Sequence, residues 1–79
     1  MDYFEEVKKL IIKLYDLEED LVHEESLLEA DLNITELDLE DLITQLEETY
    51  QLEIPLSVYS NFKQVSDISN YLYEHADEA

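Results

Sequence analysis

Apolar residues near the amino terminus recur three or four positions apart, which is the spacing of one face of an α-helix. Asp2 is placed to cap this segment, with Glu5 three residues later as the second half of a capping box. The pattern therefore predicts a first amphipathic helix over about residues 2–17. Its apolar stripe consists of Phe4, Val7, Leu10, Ile11, Leu14 and Tyr15.

The clearest helical pattern covers residues 35–50. Thr35 is the predicted N-cap, and Asp38 stands at the third helical position, where it completes a box-like arrangement. We expect a buried stripe made of Leu39, Leu42, Ile43, Leu46 and Tyr50. The remaining surface carries six acids, which are Glu36, Asp38, Glu40, Asp41, Glu47 and Glu48.

The carboxyl-terminal third predicts two further helices. Pro55 ends the connection after the second helix, because the residue before a proline disfavours helical geometry. A short helical piece is expected over about 56–61, and a last helix over about 64–75. The apolar positions of that last helix are Val65, Ile68, Tyr71 and Leu72. The fold class predicted for residues 1–79 is therefore all-α, with three main helices and a short third one in a single domain.

Residues 18–34 are ambiguous when only the spacing is considered. Their leucines, Leu21, Leu27, Leu28 and Leu32, are expected to face a core. No glycine or proline marks a break, so periodicity permits another helix here. A loop of this length in a small domain is expected only if it is packed and functional.

Composition narrows the class of protein. The 79 residues include no cysteine and no glycine, which excludes disulfides and argues against a sheet built on tight hairpins. The amino terminus lacks the basic and apolar regions of a signal peptide, and no apolar stretch is long enough to cross a bilayer. We therefore expect a monomeric cytoplasmic protein.

The charge is strongly one-sided. Twenty-two acids stand against four lysines, for a net charge of −18. Such a field repels nucleic acid and anionic membranes and attracts basic protein surfaces. The expected partner is therefore a protein with a basic surface patch.

Candidate chemistry is sparse. The two histidines, His23 and His75, are far apart in the chain, and nothing marks an activated nucleophile. Acidic residues are abundant, but EF-hand spacing is absent, and so is the glycine that such a loop needs. The sequence therefore predicts neither a catalytic site nor a metal site.

The segment from Asp31 to Pro55 resembles the acyl carrier protein family. The family pattern is D-L-G-x-D-S-L-D-x-V-E-L, then a helix ending L-E-E-x-F and an I-P. This chain has D-L-N-I-T-E-L-D-L-E-D-L, then Q-L-E-E-T-Y and L-E-I-P. The resemblance implies a four-helix bundle with a long first loop, to which residues 18–34 would belong. The positions that match are Asp31, Leu32, Leu37, Asp38, Leu42, Leu46, Glu47, Glu48, Ile54 and Pro55, with Tyr50 at the aromatic position.

The departures from the pattern fall at the functional position. Members of the family carry acyl or aminoacyl chains as thioesters on 4′-phosphopantetheine, which is attached to the serine. Here Asn33 replaces the glycine, Thr35 the aspartate and Glu36 the serine. A carboxylate there would have to form a hydrolysable acyl phosphate, and its charge repels the incoming diphosphate. We therefore predict no phosphopantetheine on this chain.

Two hydroxyls near Glu36, those of Thr35 and Ser26, are alternative attachment points for the arm. Thr35 is expected to cap the helix, however, and Ser26 lies well upstream. Glu36 itself also has a purely structural interpretation, because an acid in the first helical turn interacts favourably with the helix dipole, by about 0.3–1 kcal/mol. Asn33, Thr35 and Glu40 depart from the pattern together, which favours natural divergence over an engineered replacement of one serine.

Three hypotheses for the function follow. The leading one is a carrier-like docking protein without a prosthetic group, which binds a basic synthase, ligase or transferase through the six acids of the second helix. The second is an acyl or aminoacyl carrier whose attachment serine is altered in this sequence. The third is an acidic mimic of nucleic acid. A protein without cargo is also expected to have a closed interior, filled by Tyr50, Tyr59 and Phe62.

The charge generates a first prediction. Because acidic groups repel one another in the compact state, added NaCl should screen the repulsion and raise the melting temperature. A series of thermal melts at increasing ionic strength measures this effect. A melting temperature that stays constant or falls with salt would contradict it.

Overall fold

The computed structural model describes residues 2–76; residue 1 and residues 77–79 lie outside this range. The four α-helices are α1 (Tyr3–Tyr15), α2 (Glu36–Tyr50), α3 (Leu56–Tyr59) and α4 (Val65–His75). Between residues 2 and 76 there is no β-strand, only an isolated bridge between Leu27 and Gln64. The all-α prediction of three main helices and a short third one is therefore confirmed.

Helix α1 is shorter than its predicted range of 2–17. The Asp2 side chain accepts a hydrogen bond from the N–H of Glu5 at 3.3 Å, and Asp16 ends the helix with a left-handed backbone, φ 54°. Its fully buried residues are Tyr3, Val7 and Ile11. The predicted stripe is wrong at Leu14, which is 36% exposed. The residues that face the core recur every four positions, from Tyr3 through Val7 and Ile11, and the next one is half-buried Tyr15.

Helix α2 begins one residue after its predicted start, because Thr35 is the N-cap. The capping box is present, since Thr35 and Asp38 exchange hydrogen bonds between side chain and backbone. Gln51 ends the helix in a left-handed conformation, φ 53°. The predicted stripe lies in the core at Leu39, Leu42, Ile43 and Leu46, whereas Tyr50 is half-buried at its edge.

The two carboxyl-terminal helices are also slightly shorter than expected. Helix α3 ends at Tyr59 rather than near residue 61. Helix α4 begins at Val65, after Gln64 as N-cap, and Asp67 completes a capping box there. α1 packs chiefly against α4, and α2 closes the same core.

The stretch between α1 and α2 is a packed loop with one 3-10 turn at Glu19–Leu21, so the helical alternative for residues 18–34 is wrong. The loop is tied to the start of α4 and to the residues just before it. The Leu28 N–H donates to the Lys63 carbonyl at 2.9 Å, and the Val65 N–H donates to the Ser26 carbonyl at 3.0 Å.

The leucines predicted to pack this loop only partly do so. Leu28 and Leu32 are buried, but Leu21 is 51% and Leu27 is 42% exposed. Helical spacing does not apply to an irregular backbone, so it does not predict which loop residues face the core. The loop residues buried in the core are Val22, Leu28, Leu32 and Ile34. Among the described residues, no helix is long and apolar enough to span a membrane.

Candidate functional site

The backbone before α2 turns sharply at Asn33, where the sequence pattern of carriers has glycine. Asn33 has φ 58°, in the left-handed region that asparagine tolerates better than most residues. Ile34, directly after it, is buried in the core. The turn therefore anchors the loop and sets where α2 starts.

The first turn of α2 is held by its capping box. The Asp38 N–H donates to Thr35 Oγ1 at 3.3 Å, and the Thr35 N–H donates to Asp38 Oδ2 at 3.3 Å. The Thr35 hydroxyl also donates to Asp38 Oδ2 at 3.1 Å. Glu36 is thereby fixed as the first residue of the helix, with its side chain exposed.

A contact from α1 fixes the same turn from the other side. Tyr15 Oη donates to the backbone carbonyl of Asp38 at 2.5 Å. Burial, together with the negative charges of Asp38 and Asp41, raises the pKa of Tyr15 to about 12. The sequence marked Tyr15 only as part of an apolar stripe, and nothing local to it indicates a partner 23 positions away.

The six acids predicted as a partner-binding set have two different roles. Asp38 is engaged in the capping box, and Glu47 Oε2 accepts the Ile54 N–H at 2.8 Å, which ties the end of α2 to the connection that follows. The other four have no hydrogen bond or ion pair through their carboxylates to any described residue. These four are Glu36, Glu40, Asp41 and Glu48, all of them exposed, and we call them the free acids of α2.

The hydroxyls of Ser26 and Thr35, the two alternative attachment points, are both engaged in hydrogen bonds. Ser26 is 6% exposed; its Oγ accepts the His23 N–H at 2.8 Å and donates to the Leu21 carbonyl at 3.0 Å. The Thr35 hydroxyl is occupied by the capping box. Ser26 is therefore closed off from solvent, whereas Thr35 is exposed but has its hydroxyl bonded within the cap.

A partly open cleft of about 360 Å³ lies beside Glu36, between the long loop, α2 and the end of α3. Its apolar lining includes four buried side chains, which are Leu28, Ile34, Leu39 and Phe62. The expectation of a closed interior is therefore wrong at this place. Tyr59 and Phe62 line the cleft instead of filling it, and Tyr50 packs elsewhere, edge-on to Tyr3 with ring centroids 5.5 Å apart.

The histidines lie outside this site. His75 stacks on Tyr71 with ring centroids 4.1 Å apart, and His23 is exposed in the long loop. Over the described range no three histidine, aspartate or glutamate side chains are grouped so as to hold a metal ion.

Together the helical bundle and the exposed first residue of α2 beside a cleft define a small helical domain of the carrier type. No profile of a known protein family matches the chain. Individual proteins do match over nearly its whole length. An acyl carrier protein of Campylobacter lari is 35% identical over 72 residues, covering 91% of this chain and 94% of its own.

Other relatives agree with this match. An acyl carrier protein of Clostridium perfringens is 35% identical over 75 residues, covering 95% of this chain and 99% of its own. One from Phytoplasma mali is 31% identical over 74 residues, covering 94% and 88% respectively. The chain belongs to the acyl carrier protein family. Members of this family are carriers rather than enzymes, which confirms that the protein is not an enzyme.

The Tyr15 contact generates a second prediction. Because folding raises the pKa of Tyr15 from 10.0 to about 12, its contribution to stability is complete below pH 10 and is lost as the pH rises toward 12. Tyr15→Phe removes both the titration and the hydrogen bond, so it should cost about 0.5–1.5 kcal/mol at neutral pH. Its unfolding free energy should also fall less than that of the wild type between pH 10 and 12.

Urea unfolding of both proteins at neutral and alkaline pH makes this comparison. Tyr73→Phe is a control, because the Tyr73 hydroxyl accepts from the Tyr3 N–H at the opposite end of α1. Equal alkaline losses in wild type and Tyr15→Phe would contradict the assignment.

Proposed function

We propose that this protein is a carrier-like docking protein that works without a prosthetic group and binds a basic partner enzyme through α2. The observation that carries the proposal is the exposed carboxylate of Glu36 at the position where the family pattern has its serine. In the family that serine holds 4′-phosphopantetheine. A carboxylate cannot form the lasting phosphodiester that the arm requires.

The free acids of α2 support the docking role, because only Glu36, in the first turn, interacts favourably with the helix dipole. Glu36 and Glu40 are four residues apart, so their like charges repel on one side of the helix and cost about 0.2–0.5 kcal/mol. α2 contains no lysine or arginine, and Glu48 lies at the carboxyl-terminal end, where the helix dipole disfavours an acid. A basic surface that neutralises these groups would relieve the repulsion on binding.

The partner that fits this surface is an enzyme with lysines and arginines around its carrier-binding site, such as a synthase, ligase or transferase. Electrostatic attraction to a chain of net charge −18 speeds the encounter, and the pattern on α2 sets the orientation. The partner would then be held or regulated rather than supplied with a substrate.

A second candidate function is supported by the cleft. A cleft of about 360 Å³ lies beside Glu36, where cargo attached at this position would have room. This observation favours an acyl or aminoacyl carrier whose attachment serine is altered. The two candidates differ in whether the arm can be attached.

Attachment of the arm can be measured directly. After incubation with coenzyme A and a broad-specificity phosphopantetheinyl transferase, the intact mass of the wild type should stay unchanged. Glu36→Ser, alone or with Thr35→Asp to restore the family pattern, should gain one phosphopantetheine group. A wild-type protein that gains the group would contradict the proposal and establish the second candidate.

Docking through α2 is tested with charge reversals. Asp41→Lys with Glu48→Lys should weaken binding to a lysine-rich peptide by roughly three- to tenfold and flatten its salt dependence. Both residues are free acids of α2, so the substitution leaves the Asp38 and Glu47 hydrogen bonds intact. The measurement is calorimetric titration at several salt concentrations.

The matched control changes the net charge equally at another place. Asp20→Lys with Glu25→Lys lies in the exposed part of the long loop. If this control weakens binding as much as the α2 variant does, the attraction comes from overall charge and the docking face is not on α2.

A further inference from the structure

The cleft beside Glu36 is partly open to solvent, and much of its lining is apolar. Leu28, Ile34 and Phe62 form part of this lining, which we call the apolar floor, and are otherwise buried in the core. Leu27 also lines the cleft and is 42% exposed, so the apolar surface continues onto the rim. An apolar cavity that is open to solvent gains free energy when a side chain or ligand fills it.

The charges at the rim are arranged unevenly. Glu29 and Glu36 lie on the rim, and so does Lys63, one of only four lysines in the chain. Glu40 stands one helical turn beyond Glu36, on the same side of α2. Besides burial, the charges of Glu47 and Glu40 raise the pKa of Tyr59, which also lines the cleft, so the field of the α2 acids reaches its wall.

We propose that this cleft receives one large apolar side chain of the basic partner, with the partner's neighbouring lysine or arginine placed on the Glu36 and Glu40 side. This inference rests on the proposed docking function and specifies the place at which a partner side chain enters the protein. Interfaces commonly gain most of their affinity from such an anchor, an aromatic or large apolar side chain in a pocket, surrounded by polar contacts.

The size and charge of the cleft favour this occupant over others. A half-open cleft of about 360 Å³ is near the lower end of the range for small-molecule sites, about 300–1,000 Å³. An anionic ligand such as a free fatty acid would meet Glu29, Glu36 and the overall charge of −18. A second copy of this chain carries the same charge and is repelled. A basic protein satisfies both the apolar floor and the acidic rim.

The experiment compares two peptides of equal charge as probes. One is a short lysine-rich peptide with a central tryptophan, and the other has alanine in place of tryptophan. Burial of the indole in the cleft should make the first bind about tenfold more tightly in calorimetric titrations. In amide spectra, the tryptophan peptide alone should shift Ala30, Ile34 and Lys63, which line the cleft.

A filled cleft provides the matched variant. Ser60 lines the cleft and is exposed, whereas Ser57 is exposed on α3 and does not line it. Ser60→Phe should abolish the advantage of the tryptophan peptide and leave the alanine peptide unaffected, while Ser57→Phe should preserve the advantage. Neither substitution alters an acid of α2.

Several outcomes would overturn the inference. In one, the two peptides bind with equal affinity, and Asp41→Lys with Glu48→Lys weakens both. That result would support docking through α2 and show that the cleft takes no part in it. If the tryptophan peptide still binds Ser60→Phe more tightly than the alanine peptide does, the indole lies outside the cleft. Spectral shifts of residues away from the cleft would lead to the same conclusion. If neither peptide binds, the cleft and the proposed docking function both fail. The spectral shifts of the wild type decide the question if Ser60→Phe does not fold.

Discussion

The first turn of α2 determines which side chain stands beside the cleft. The first turn of α2 is fixed from three directions: by the left-handed backbone of Asn33, by the Thr35–Asp38 capping box, and by the Tyr15 hydroxyl on the Asp38 carbonyl. These interactions hold the backbone at Glu36, whose side chain is exposed and lines the cleft. Under the proposed function, this turn presents a carboxylate where the family pattern has its serine.

Charge and packing act against each other in this chain. The sequence contains twenty-two acids, and the core is assembled from three main helices and the long loop. Only one lysine ion pair, Lys8 with Glu19 at 3.8 Å, occurs among the described residues. A single pair whose glutamate is 79% exposed contributes little to stability, so apolar burial must outweigh the repulsion. In the proposed function, a basic partner neutralises part of this acidic surface.

Local rules predicted the parts of the fold that are locally determined. The Thr35–Asp38 box and the buried stripe of α2 depend on residues a few positions apart, and both are present. The contact from Tyr15 joins residues 23 positions apart, so no local pattern indicates it. In the long loop, helical spacing selected Leu21, whereas Val22 beside it is the residue that enters the core, because the 3-10 turn and extended backbone there follow no fixed period. The prediction of a closed interior was wrong for a different reason. The identity of the side chains does not define the volume that is left between the helices and the loop.

The central claim is that Glu36 makes this family member a protein without an arm. The most direct measurement is the intact mass of the natural protein, purified from its own cells under conditions that preserve phosphodiesters and thioesters. We expect the mass of the unmodified polypeptide. A mass increased by covalently bound phosphopantetheine, at any residue, would contradict the claim and return the protein to the active carriers.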